Sequence, residues 1–90
     1  MNTAEPDLIK EKLKSFLAGL SGKRKVSDSI RLIDEEIIDS LNFVQLIIFI
    51  ESEFKITLKP LDIHIEDFSD VSTLSDFIAR KMLRRGGAKR

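Results

Sequence analysis

The chain has 90 residues, enough for one domain and too few for two. With 42% apolar and 33% charged residues its composition is that of an ordinary globular domain, which excludes a disordered polyelectrolyte and a membrane protein. Cysteine is absent and His64 is the single histidine, so disulfides, thiolate metal sites, a cysteine nucleophile and most histidine-based chemistry drop out. An autonomous enzyme is therefore not expected, and a binding, carrier or scaffold role is.

The net charge of zero hides a partition: +3 over residues 1–25, −9 over 26–79 and +6 over 80–90. The acidic centre is suited to basic partners, whose encounter it would steer. The basic end holds Arg80, Lys81, Arg84, Arg85, Lys89 and Arg90. It reads first as cations complementing a helix C-terminus, then a frayed end at Gly86 and Gly87, and Lys23, Arg24 and Lys25 read as a solvated loop. No aromatic residues interleave these charges, so no nucleic-acid partner is expected. No apolar run approaches the roughly 18 residues of a membrane helix, and residues 1–10 lack the plan of a signal peptide. A cytoplasmic protein without a membrane span is the expectation.

In chain order, Ile9, Leu13, Phe16, Leu17 and Leu20 recur at helical spacing, which predicts a first amphipathic helix from Pro6 to about Gly19. From Leu20 to Ile38 apolar residues are scattered without a period. Connections of that length are uncommon in a small domain and often functional, so this one should fold its apolar residues back onto the helices, with at most a short helical turn. Ser40 to Phe54 contains no Gly or Pro and predicts a second helix, the most buried element. On its wheel Asn42, Gln45, Ser52 and Glu53 share an arc of about 100°, with Phe49 among them. Leu41, Val44 and Ile48 lie beside that arc; Phe43, Leu46, Ile47, Ile50 and Phe54 lie farther round. So much apolar surface means either a helix wrapped on nearly all sides or a face left for a partner.

Residues 56–68 contain Pro60 and no clear period, predicting a loop with one short helix near Glu66 to Phe68. A last helix follows, with Ser72 as its N-cap, Leu74, Phe77, Ile78 and Met82 at helical spacing, and an end near Leu83 or Arg84. The fold class is all-α: a bundle of three main helices and one short one, with a long loop between the first two main helices. Residues 1–84 form the single domain and residues 85–90 a basic, disordered tail.

Asp39, Ser40 and Leu41 stand where the irregular loop meets the second helix. Taken alone, Asp39 or Ser40 is an ordinary N-cap. In context, Ile37, Ile38, Asp39, Ser40 and Leu41, followed by Val44, Leu46, Phe49, Ile50, Glu51, Phe54 and Ile56 and then Asp62, Glu66, Phe68, Val71 and Leu74, resemble the acyl carrier protein family. These are the acyl, peptidyl and aminoacyl carriers that bear 4′-phosphopantetheine, and the likeness is to the small stand-alone type. It covers about Asp28 to Met82 and is most specific from Ser40 to Phe54.

The resemblance implies that Ser40 is the attachment site of 4′-phosphopantetheine taken from coenzyme A by a Mg²⁺-dependent phosphopantetheinyl transferase, making the chain a phosphoprotein and thioester carrier. It implies that Asp39 orients the site and helps the transferase hold its metal, and that Leu41, Val44, Ile48 and Glu51 meet partner enzymes. Those partners would load an acyl or aminoacyl group and act on it in fatty acid or secondary metabolite biosynthesis, with the carrier a monomer. A phosphodiester at a helix start would also meet free backbone N–H groups and the positive end of the dipole. Val44 and Ile48 fit core packing as well, and Glu51 fits a plain solvated face.

Three features depart from the family. Many carriers place Gly shortly before Asp-Ser-Leu, where this chain has Glu36, a poorer fit if that backbone needs a positive φ. Fatty-acid carriers commonly have acids at the second and fifth positions after the serine, where Asn42 and Gln45 stand here, which favours a dedicated partner set. The basic C-terminus is the third. The alternative to a carrier is an unmodified helical interaction module using the Leu41, Val44 and Ile48 strip, and a nucleic-acid or membrane-surface binder acting through the tail comes after it.

Overall fold

A computed structural model describes residues 6–22 and 26–88, with side chains over residues 7–22 and 26–83. The order is α1 (Pro6–Ser21), α2 (Ser40–Phe54), two 3-10 turns (Pro60–Asp62 and Ile65–Phe68) and α3 (Val71–Ala88), with no strand among the described residues. The all-helical bundle with a long first loop is as expected from periodicity. The 3-10 turn at Pro60 was not expected. It forms because proline fixes φ at the first position while the Asp62 carboxylate accepts the Lys59 N–H at 3.1 Å.

α1 buries Ile9, Leu13 and Leu17 and lies along α3, its closest helical neighbour. It runs past Gly19, which meets no crowding inside the helix, and stops at Gly22, whose φ of +79° turns the chain. α3 begins two residues earlier than the Ser72 cap implied. Asp70 is the cap: its Oδ1 accepts the Thr73 N–H at 2.8 Å, while Ser72 lies inside the helix and donates its own N–H to the Asp28 carbonyl at 3.0 Å. The helical backbone also continues to Ala88, correcting the expected end near residue 84 and the irregular course of residues 85–88. No proline interrupts it, and glycine weakens a helix without breaking it. The Lys23, Arg24 and Lys25 cluster and the tail side chains beyond residue 83 lie outside the described residues.

The long connection is held rather than loose. Val26, Leu32, Ile37 and Ile38 are buried in the same core as Leu46, Ile50, Phe68, Leu74 and Ile78. Its backbone is tied by Leu32, whose N–H donates to the Ser69 carbonyl at 2.9 Å and whose own carbonyl accepts the N–H groups of Ile37 (2.8 Å) and Ile38 (3.0 Å). Asp28 anchors it to α1, with Lys14 Nζ at 2.7 Å and Lys10 Nζ at 3.5 Å. At Glu36 the chain takes φ +60°, so this position before Asp39 is left-handed with a side chain in place. This tight path delivers Asp39 and Ser40 to the head of α2.

Candidate functional site

Asp39 has extended dihedrals and its Oδ1 accepts the backbone N–H groups of Leu41 at 3.0 Å and Asn42 at 2.8 Å. Its carbonyl takes the Phe43 N–H at 2.8 Å. The carboxylate is therefore the N-cap of α2, a geometry that an acidic side chain favours twice, by hydrogen bonding and by its charge at the positive end of the dipole. The expectation of free amides waiting for a phosphate is corrected here: Asp39 already occupies the Leu41 and Asn42 N–H groups. Its second oxygen, Oδ2, bonds no described residue, and Asp39 as a whole is exposed.

With Asp39 as the cap, Ser40 is released from that duty. It is the first residue of α2 and exposed, and its hydroxyl makes no hydrogen bond to a described residue. Among the described residues no histidine or lysine is paired with it.

Beside it runs an open apolar strip. Leu41 is 73% exposed, Val44 56% and Ile48 59%, values that remove the core-packing alternative for all three. The opposite side of α2 makes the core through Leu46, Ile50 and Phe54, with Phe43 and Ile47 half-buried against it. Three large apolar side chains one turn apart on one exposed face are a surface for covering, not a scatter of single contacts. The first eleven residues of α2 carry no charge, so the strip is flanked by Asn42, Gln45 and Ser52. Charge is concentrated instead in the approach to the helix, where Asp34, Glu35, Glu36 and Asp39 are all exposed.

Glu51 does not join this surface. It is half-buried, and its Oε2 accepts the Leu58 N–H at 2.8 Å, which fastens the segment after α2 to the helix. The sequence offered no signal for this, because the donor is a backbone amide seven residues on. Phe49, placed among polar residues by the wheel, stacks on Phe16 of α1 with ring centroids 4.2 Å apart and planes 8° apart. A single-helix projection cannot see that neighbour. Beside this pair Lys12 and Glu53 link the same two helices at 2.6 Å.

At the other end of the molecule Asp62 pairs with Lys81 at 3.2 Å and Asp67 with Arg80 at 3.7 Å, so the two described basic residues of the tail region hold the 3-10 turns to α3. The Lys59 N–H and Lys81 together keep the Asp62 carboxyl below its ordinary range. His64, exposed between those turns, is far from Ser40 in the chain and makes no hydrogen bond to it. No helix among the described residues is long and apolar enough to cross a membrane. No known family and no curated protein matches this chain.

Proposed function

We propose that this chain is a carrier protein, not a catalyst, with 4′-phosphopantetheine attached at Ser40. The observation that carries the proposal is an exposed serine at the first residue of a helix whose cap is supplied by its neighbour, its hydroxyl bonded to no described residue. A serine needed as a cap could not be modified without loosening the helix, whereas this one can be. A phosphodiester there projects into open solvent and lies near the positive end of the α2 dipole, which favours negative charge. The residues present thus fit the group, and the thiol it supplies would take an acyl or aminoacyl cargo as a thioester.

In the transfer from coenzyme A, a bond forms between Ser40 Oγ and phosphorus, a pyrophosphate P–O bond breaks and the adenosine bisphosphate leaves. The hydroxyl proton goes to a base of the phosphopantetheinyl transferase. Asp39 Oδ2, which bonds no described residue while Oδ1 caps the helix, would approach that enzyme's metal. Leu41, Val44 and Ile48 then form the contact for loading and downstream enzymes, and the acids at 34, 35, 36 and 39 attract basic surfaces on them. A cytoplasmic monomer, serving a dedicated pathway in fatty acid or secondary metabolite biosynthesis, fits this division between a neutral docking helix and an acidic approach.

The test is intact mass before and after incubation with coenzyme A, Mg²⁺ and a broad-specificity transferase. Gain of one phosphopantetheinyl unit by the natural chain and none by Ser40→Ala is the expected result. The exposed strip also suits an unmodified interaction module. That alternative predicts no mass gain and a partner affinity indifferent to Ser40→Ala but reduced by Val44→Asp.

A further inference from the structure

Between α1 and α2, on the side reached by the exposed strip, the surface is hollowed over the Phe16 and Phe49 rings. One depression of about 310 Å³ is bordered by Gln45, Ile48 and Ser52, and an adjoining one of about 370 Å³ by Lys12 and Ser15; both share Phe16, Phe49 and Glu53. Together they make a groove with an aromatic floor, continuous at Ile48 with the Leu41 and Val44 strip. Both depressions are shallow and open to solvent, which suits a group of short to medium length lying on the surface.

From this we infer that the groove is a resting place for the cargo of the arm, an apolar acyl or aryl group held on the surface of the bundle. The inference rests on the carrier function of Ser40. Reach supports it: Ile48 lies eight residues beyond Ser40, about 12 Å along the axis at 1.5 Å per residue. An extended phosphopantetheine has roughly thirteen bonds from phosphorus to sulfur and spans about 16 Å at the spacing of extended chains. The thiol thus arrives near Ile48 and its cargo falls over Phe49 and Phe16.

The interior supports it from the other side. Phe43 and Phe68 meet at 5.0 Å, and Phe68 and Phe77 at 6.0 Å, so three rings fill the space where α2 faces the second 3-10 turn and α3. Covering what Phe16 and Phe49, both partly buried, still expose removes apolar surface from water. The far end of the groove is bounded by the Lys12 and Glu53 ion pair, which with Glu11 disfavours an anionic cargo end.

The experiment uses the full ¹⁵N- and ¹³C-labelled chain, loaded by a transferase either with the plain arm or with a hydrolysis-resistant octanoyl analogue, and checked by mass. The expected result is a set of shifts between the two loaded forms at Gln45, Ile48, Phe49, Ser52 and Phe16, with octanoyl contacts to both rings, lost in Ser52→Glu. Octanoyl contacts to Leu46, Ile50, Leu74 or Ile78 would place the cargo inside and overturn the inference. So would shifts confined to residues 39–42, which mean a solvated cargo. Shifts at Phe16 and Phe49 that grow with protein concentration in the unloaded chain would assign the groove to a second copy and overturn it also. Failure to load removes the carrier function itself, and loading without groove contacts removes this inference alone.

Discussion

Two adjacent side chains divide the work at the head of α2. Asp39 Oδ1 holds two amides of the first turn, so Asp39→Ala should cost about 1 kcal/mol of stability in a urea titration, while Asp39→Asn keeps the cap and most of that. A slower transferase reaction with Asp39→Asn, in a chain that unfolds at nearly the natural urea concentration, would locate its second role in Oδ2. Ser40→Ala removes no hydrogen bond to a described residue and should leave stability within about 0.5 kcal/mol. A larger loss would mean that Ser40 shares the cap. Glu36 is a second informative residue. A left-handed conformation costs a residue with a Cβ roughly 1–2 kcal/mol, against roughly 0.5–1 kcal/mol of extra unfolded-state entropy for glycine. Glu36→Gly should therefore stabilise the chain by up to about 1 kcal/mol, and a destabilised variant would contradict the φ of +60° at this position.

At the scale of the helix, α2 separates two apolar faces that composition does not distinguish. Leu46 is fully buried and Leu46→Ala should cost about 2–5 kcal/mol, whereas Val44→Ala on the open strip should stay within about 0.5 kcal/mol, both read from chemical denaturation. Equal losses would mean that the strip is core. The limits of α2 were legible because Ser40 to Phe54 contains neither glycine nor proline, whereas the exposure of Leu41, Val44 and Ile48 was not, since apolar residues surround most of that helix. What escaped the sequence depends on partners farther along the chain: Phe16 under Phe49, the Leu58 amide on Glu51, and the Asp28 carbonyl on the amide of Ser72, whose place as cap the nearby Asp70 takes. The long connection does fold its apolar residues back onto the helices as expected, with Val26, Leu32, Ile37 and Ile38 in the core, but its path was not legible. Its backbone is ordered by single bonds to Leu32 and Ser69, which impose no repeat on the residues between them.

Over the whole molecule, ion pairs tie the irregular segments to the helices. Asp28 joins the first connection to Lys14 and Lys10 on α1, and Asp62 joins the 3-10 turn to Lys81 on α3. The Lys14 ammonium holds the Asp28 carboxyl below its ordinary value of 3.8, and Asp62 is lowered too. Carboxylates lowered in the folded state stabilise it fully above 3.8, and that contribution is lost as pH falls through their folded-state values. Unfolding followed by circular dichroism should show stability falling below about pH 4, less steeply in Asp28→Asn. An identical acid limb in the variant would contradict the Lys14 pairing. Seen across the surface, acid gathers before Ser40 while the exposed face of α2 is neutral, so partner affinity should depend on salt through residues 34–39 and on packing through the strip.

The central claim is a covalent bond at one oxygen. Fragmentation of the chain after reaction with coenzyme A, Mg²⁺ and a transferase locates the added unit along the sequence. One phosphopantetheinyl group on Ser40, and on no other serine, is the predicted result. A chain that keeps its helical spectrum yet gains no unit with several transferases, or gains it elsewhere, would contradict the carrier function and leave Asp39 and Ser40 as the start of a helix.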